Sequence, residues 1–396
     1  MNGCHFERDR GFVLWQCANG PRQVYITISF EQPAADAALV CRQAYGKLSS
    51  ILNREGLTVV QERIFGSLNQ NAAALAGRLE ALPSGGSLAG HPVTYIQGRP
   101  LWGDGLAGIQ IHAVRAGDAS DKIVPLTVGG QIVGRAWTHR DTTLYWIQNA
   151  HGLGAETARH PSPKAQSESM FLRADALMRG LDLDYRAVVR TWIYLSDILR
   201  WYDDFNEVRN RLYGGWGLMP NPAGNGPLRL PASTGIRGDN PLAAACVMDV
   251  LAIKPAPTGA PVVKQLTNPK QKDAFKYQKA FSRGAFIQGS GFDQIQISGT
   301  AAIDEVGVSL FPGDARKQIQ CTLEVVASLI GQCGAKLADI SGATLFLKTA
   351  ADAEICRQVL KEFSLENLPA VWVVGDVCRD ELLFEMDALA LGPFGR

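Results

Sequence analysis

Three times along this chain of 396 residues the same order of patterns returns: strand-like runs, a long amphipathic helix, a strand, a second helix, then two strands. In the first copy the spacing predicts a helix over 34–54, with Ala37, Val40, Ala44, Leu48 and Ile51 on one face. Gly56-Leu57 breaks it; a strand over 58–65, a helix over 70–82 and strands over 93–97 and 106–114 follow. In the second copy, hairpin strands over 132–137 and 143–148 lead to a helix over 165–179 that ends at Gly180-Leu181. A strand over 190–195, a helix over 202–213 and strands over 229–236 and 243–253 complete it. The third copy opens on a hairpin, 289–300, in which Ile295 and Ile297 alternate with Gln294 and Gln296. Asp314 is placed to cap a helix whose stripe is Ile319, Leu323, Val326 and Ile330, and Gly334 breaks it. A strand over 343–348, a helix over 353–364 and a closing strand pair, 371–374 with 382–391, end the copy.

Helices that each cover one face of a sheet imply an α+β layer repeated three times in one chain. The divisions expected are a degenerate first repeat over 1–125, a second over 126–255, a linker over 256–275 rich in Pro and Lys, and a third repeat over 276–396. The Gly/Pro/Asn-rich segment 214–227 reads as a loop inserted in the second copy.

The closing strand of the third copy carries an acid among apolar residues. Side chains alternate along a strand, so Glu385 and Asp387 share one face while Phe384 and Met386 take the other. Burial there would raise the carboxyl pKa and hold a proton near neutral pH. Aligning the closing strands through Ala113, Val250-Leu251 and Ala388-Leu389 sets Glu385 against Gln110 in the first copy and Val247 in the second. Only one copy keeps the acid, which favours chemistry over a general sheet device. Arg99, Arg190, Arg209 and Arg237, with Asn206 one helical turn before Arg209, are the candidates for gripping an anionic substrate.

A net charge of +1 argues against electrostatic nucleic-acid or membrane binding. No run is long and apolar enough to span a bilayer, and an N-terminus charged by Glu7, Arg8, Asp9 and Arg10 lacks the core of a signal peptide. Eight cysteines form no C-x-x-C pair and are expected as reduced thiols, which fits a cytoplasmic protein. The histidines at 5, 91, 112, 139, 151 and 160 show no metal spacing, and neither a metal nor an organic cofactor is expected.

The third copy resembles the Rid (YjgF) family of small trimeric proteins in four segments taken in order. These are FSRG (281–284), ISGT (297–300), GDARKQIQCTLEVV (313–326) and NLPA with FEMDALA (367–390). The resemblance implies three Rid-like (chorismate-mutase-like) units closing a pseudo-trimer within one chain, either as a monomer or as a homotrimer. Rid deaminases use an arginine after N-L-P-A, and Val371 stands there. RTWIYL (190–195), FNEVR (205–209), LPASTGI (230–236) and VCRDELLFEMD (377–387) extend the likeness to the chorismatases of secondary metabolism. That family implies Glu385 as the catalytic acid and Cys378 as a position that separates subtypes, a cysteine leaning toward hydroxybenzoate formation. The expected substrate is chorismate or a similar dianion. Its enolpyruvyl ether would be cleaved to pyruvate and a 3- or 4-hydroxybenzoate or a dihydroxycyclohexadienoate, by a lyase or hydrolase reaction. A Rid-type imine deaminase and a non-catalytic small-molecule binder are the alternatives.

Overall fold

The computed structural model describes residues 3–394 except 10, 21, 35, 83–87, 89, 118–120, 141, 155–160, 221–227, 255–261 and 290. His160, the end of the 214–227 loop and the start of the 256–275 segment lie outside the described residues. The first module runs β1 (Gly3–Asp9), β2 (Phe12–Asn19), β3 (Gln23–Phe30), α1 (Ala37–Glu55), β4 (Thr58–Gly66), α2 (Asn71–Ala81), β5 (Thr94–Gln97) and β6 (Leu106–Val114). The second runs β7 (Lys122–Val128), β8 (Gln131–His139), β9 (Thr142–His151), α3 (Pro163–Gly180), β10 (Val188–Leu195), α4 (Ile198–Gly215), β11 (Ala232–Arg237) and β12 (Cys246–Lys254). The third runs β13 (Val262–Leu266), β14 (Gly284–Gln288), β15 (Asp293–Ala301), α5 (Ala315–Gly331), β16 (Ile340–Leu347), α6 (Ala353–Glu362), β17 (Ala370–Val374) and β18 (Phe384–Leu391).

Each module forms one six-stranded sheet with the same strand order, β1-β2-β3-β6-β4-β5 and its two equivalents. The repeat read in the sequence is therefore a structural repeat. Local signals explain the helices. Asp36 accepts hydrogen bonds from Ala38 N and Leu39 N to cap α1, which ends at Gly56 with φ 61°. Asp314 caps α5 through Lys317 N, and Ile319, Leu323, Val326 and Ile330 are all buried. Gly180 is the last residue of α3 instead of its left-handed cap, and the positive φ falls on Asp182.

Several expectations are corrected. Each sheet carries an outer strand that the patterns missed, and the whole leading hairpin of the first module went unread. β7 runs through the expected division at 125/126, and its Pro125 is tolerated because an edge strand can lack one amide donor. The stretch expected as a linker contains β13, which pairs with β14 along its whole length. The helix α4 continues into the segment expected as an insert, as far as Gly215. The last two strands do not pair with each other; β16 lies between them, parallel to β17 and antiparallel to β18. Cys4 and Cys17, direct partners across β1 and β2, form a disulfide, whereas the other six cysteines are free.

One face of each sheet is covered by its own two helices, giving three separate cores. The other faces turn inward and meet in a fourth core drawn from all three modules, including Phe65, Trp137, Trp192, Ile236, Phe292 and Val373. With both faces buried, β3, β4, β6, β10, β12, β16 and β18 are nearly continuous in burial. Phe65 of the first module meets Tyr194 of the second edge-on at 6.3 Å. Phe65→Ala is expected to cost about 3–5 kcal/mol in urea unfolding by opening this shared core; a loss under about 1 kcal/mol would show that the modules are held together elsewhere.

Candidate active site

Register sets equivalent positions in the three modules. The sheets share a bulge on β4, β10 and β16, the strands next to one edge, at Val60, Val189 and Ser341, which locks the alignment of the closing strands. Counting from it, Asp387 corresponds to Asp249 and Gln110, and Glu385 corresponds to Val247 and Gly108. The pairing of Glu385 with Gln110 is thus two residues off, although Gln110 lies on the same face; the acid remains confined to one module. As the alternation required, Phe384 and Met386 enter the helix-covered core while Glu385 and Asp387 face inward.

Glu385 lies where the third module meets the second. It borders a cleft of about 390 Å³, open solvent included. Tyr202 from α4, Tyr277, Lys279, Phe281 and Arg283 ahead of β14, and Cys378 and Arg379 between β17 and β18 complete the wall. Opposite Glu385, β15 bulges at Ser298-Gly299, and any side chain at Gly299 would collide with the carboxylate oxygen Oε1. The carboxyl makes no hydrogen bond or ion pair with the described residues. Burial, with the charge of Asp387 on the same face, pushes its pKa up to about 8, against the opposing pull of Arg283 and Arg190. It therefore holds a proton at neutral pH.

The expected site residues divide. Cys378 lines the cleft, and burial, reinforced by Glu385, pushes its thiol up to about 12, so it stays protonated. Arg209 and Asn206 lie buried on α4, with Arg209 NH2 donating to Asn206 Oδ1 at 2.6 Å. The Arg209 guanidinium stacks over Phe205 and over Phe281 of the cleft, at 5.2 and 5.4 Å. Arg190 is wholly buried behind the cleft. Its NH2 donates to Thr234 Oγ1 at 2.7 Å and to Asp387 Oδ2 at 3.2 Å, and burial lowers its pKa to about 10. Arg237 is held outside the cleft by Asp376 at 2.6 Å, with Asp197 and Asp239 farther off. Arg99 is exposed on a backbone bridge to Val374, at the contact between first and third modules. The structure thus brings Cys378 to Glu385 in the cleft, sets Asn206 and Arg209 outside its lining with Arg209 packed on Phe281, and leaves Arg99 and Arg237 apart from it.

Sequence reasoning passed over Arg283, although it stands inside the FSRG motif. Its guanidinium donates to the carbonyl of Lys272 and to Tyr277 OH at 2.7 Å, and stacks on Phe281 at 5.5 Å. Among the described residues neither Arg209 nor Arg283 has a carboxylate partner, an unusual state for buried guanidinium groups. Of the two, Arg283 lines the cleft with Arg379 and with Lys279, which is paired to Asp203 at 2.9 Å, while Arg209 stays buried against Phe281; the wall is cationic around one neutral acid. No group of three or more His, Cys, Asp or Glu residues that could hold a metal occurs among the described residues.

Residues 272–391 match the family model described as Endoribonuclease L-PSP. The chain is 24% identical over 273 residues to a chorismatase of Streptomyces hygroscopicus, covering 65% of this chain and 74% of that one. It is also 24% identical over 240 residues to a 3-hydroxybenzoate synthase of the same organism, across 53% of this chain and 65% of the relative. A RutC family protein of Pyrococcus abyssi is 28% identical over 116 residues, 29% of this chain and 84% of its own length. Among solved structures, a chorismatase crystal structure superposes with a TM-score of 0.58 at 18% identity, covering 84% of this chain and 93% of that one. The three-module α+β architecture is therefore the Rid-like fold of that chorismatase.

The raised carboxyl pKa has a consequence for stability. An ordinary carboxyl titrates at 4.5, whereas folded Glu385 keeps its proton to about 8, so the native state binds more protons between those values. Its contribution is complete below about pH 4.5 and is lost as pH rises through about 8. Glu385→Gln, which keeps the shape without the charge, is expected to match the parent in thermal unfolding at pH 4.5 and to melt higher at pH 9. Equal melting temperatures at both pH values would show that the carboxyl is not protonated in the fold.

Proposed function

We infer that this protein cleaves the enolpyruvyl ether of chorismate, a chorismatase reaction in which Glu385 is the general acid. The observation that carries this reading is a solitary protonated carboxyl facing a cleft walled by guanidinium and ammonium groups without enough acids to balance them. Similarity to a chorismatase and a 3-hydroxybenzoate synthase supports the choice of substrate.

Chorismate carries two carboxylates and an enol ether. Arg283 and Arg379, with Lys279 paired to Asp203, supply positive charge on the cleft wall for the carboxylates, Arg209 oriented by Asn206 adds its charge from beneath Phe281, and the aromatic faces of Phe281 and Tyr202 border the ring. Glu385 transfers its proton to the terminal methylene carbon of the enolpyruvyl group. The C=C electron pair forms the new C–H bond, the methylene becomes a methyl group, and positive charge develops on the ether carbon and oxygen. The carboxylate left on Glu385 stabilises that cation electrostatically. Addition of water to the cation gives a hemiketal that collapses to pyruvate and a dihydroxycyclohexadienoate. Capture of the cation by the neighbouring ring hydroxyl gives a cyclic ketal. Breaking that hydroxyl's bond to the ring, with loss of the adjacent ring proton to the Glu385 carboxylate, aromatises the ring, and the hemiketal that remains collapses to pyruvate, which keeps the hydroxyl oxygen, and a hydroxybenzoate, with no net gain or loss of water. The neutral Cys378 thiol, beside Glu385, is placed to influence that partition.

Arg190 acts from behind the cleft in this reading. It neutralises Asp387 and, through Thr234 Oγ1, which accepts from Gly299 N at 3.1 Å, holds the bulge against which Glu385 packs.

Purified protein incubated with chorismate is expected to release pyruvate with a matching ring product, and Glu385→Gln to lose about 10²- to 10⁴-fold in rate, the usual share of a general acid. Arg283→Ala is expected to lose about 2–4 kcal/mol in kcat/KM from the missing charged contact. Equal pyruvate release by the parent and Glu385→Gln would remove the mechanism.

A further inference from the structure

The pseudo-threefold axis generates two other places equivalent to the candidate active cleft. Where the first module meets the second, Thr94 Oγ1 donates to Asp249 at 2.7 Å, repeating the Thr234–Asp387 contact, and the closing strand carries Val247 in place of the acid. Where the third meets the first, a wide cleft of about 1100 Å³, open solvent included, remains. Its position is the same by register. Ser29 faces Gly108 on the closing strand as Ala301 faces Glu385, and both residues line their clefts. Leu101 and Trp102, between β5 and β6, take the place of Cys378 and Arg379, and Arg357 on α6 stands in the helix equivalent to the one that offers Tyr202. The reacting acid has been replaced by glycine: a Cβ at Gly108 would come within 2.6 Å of Val371 Cγ2.

What lines this cleft is aromatic. Trp15, Phe30, Trp102 and Trp372 border it, none of them stacked on another. The indole N–H groups of Trp15 and Trp102 are buried and have no acceptor, and Trp15 is only 9% exposed as a whole. A buried donor without an acceptor is costly, so a ligand that supplies acceptor oxygens gains from reaching it. Arg357 lies over the Trp372 ring at 5.5 Å and is ion-paired to Glu354 at 3.3 Å, an exposed pair on one turn of α6. Arg8 is paired to Glu31, and with Glu366 at the rim the cleft lacks the positive excess of its catalytic counterpart. Flat walls, indole N–H groups without an acceptor among the described residues, and a guanidinium held only by an exposed pair that a ligand carboxylate can exchange suit a ring with a single carboxylate; a dianion would meet Glu31 and Glu366.

We propose that the cleft between the third and first modules is a second, non-catalytic binding site for a small planar aromatic monocarboxylate. It keeps the location of the reacting cleft and has exchanged the acid for indole surfaces.

The test is calorimetric titration of the full chain with benzoate, in the parent and in Arg357→Ala, Trp15→Phe and Arg283→Ala. Arg357 is exposed on α6, so its replacement leaves the fold intact, and Trp15→Phe keeps the ring while deleting the donor. Saturable binding is expected in the parent, weakened tenfold or more by Arg357→Ala and severalfold by Trp15→Phe, and kept in Arg283→Ala. Pyruvate release from chorismate by Arg357→Ala is expected to equal that of the parent. Absence of saturable binding in the parent overturns the proposal. So does binding that vanishes in Arg283→Ala while Arg357→Ala leaves it unchanged, since the ligand would then occupy the catalytic cleft. Failure of the chorismate reaction would leave this titration unaffected, so the two readings fail separately.

Discussion

A carboxyl buried on an inward-facing strand without a hydrogen-bonding cation is the constraint around which the site is arranged. Taking an ionised carboxylate out of water costs more than the fold could recover from the distant pulls of Arg283 and Arg190, so the group remains neutral. Asp387, two residues along the same face, is contacted by Arg190 at 3.2 Å and by Thr234 at 3.0 Å. Two acids on one strand face thus meet different neighbours: one is held by a guanidinium and a hydroxyl, and the other has no hydrogen-bonding partner among the described residues.

The neutral acid depends on the layer design. Helices cover only one face of each sheet, so the other faces would be exposed apolar surface unless they packed on each other. Three modules meeting inward solve that problem, and the solution places the closing strands β6, β12 and β18 at the junctions. Functional side chains on a strand flanked by two others are more rigidly held than on a loop. The cations come instead from loops, and Tyr202 comes from α4 of the neighbouring module, so the cleft is complete only when two modules are in contact.

Much of this was legible in the sequence because it rests on period and order. The helical stripes, the capping Asp314 and the alternation around Glu385 are local patterns, and local patterns repeat wherever the module repeats. The outer strands were not legible for the converse reason. β7 and β13 are short edge strands, one bearing Pro125 and the other following a Pro-rich stretch, and an edge strand needs neither alternation nor unbroken donors. Arginine roles were the least legible. Arg190, Arg209, Arg237 and Arg283 look alike in sequence; what separates them is the partner each meets, namely Asp387, Asn206, Asp376 and Tyr277, and two of those, Asp387 and Asp376, come from distant parts of the chain. The Cys4–Cys17 disulfide was hidden in the same way, because pairing depended on a hairpin that composition does not reveal.

Joining the three modules in one chain removes a restriction that symmetry imposes. In a closed trimer of identical subunits every interface carries the same residues, so a substitution that improves one site alters all three. Here each junction has its own version of a common register. At the position of Glu385 stand Val247 and Gly108, and at the position of Thr234, fixed by pairing with the bulged strand, stand Thr94 and Val371. The junction with Thr94 and Asp249 is closed by polar contacts, including Gln148 reaching the Glu62 carbonyl at 2.6 Å, and there it resembles a structural seam. The junction with Gly108 and Val371 is apolar at its base and open at its mouth. Only the junction with Thr234 and Asp387 has added Arg190, where the other modules have Gln61 and Gly342, and only that one holds the protonated acid. The added cation and the added acid meet through one residue: Arg190 pairs with Asp387 at 3.2 Å, and the charge of Asp387 raises the pKa of Glu385 two residues away on the same face.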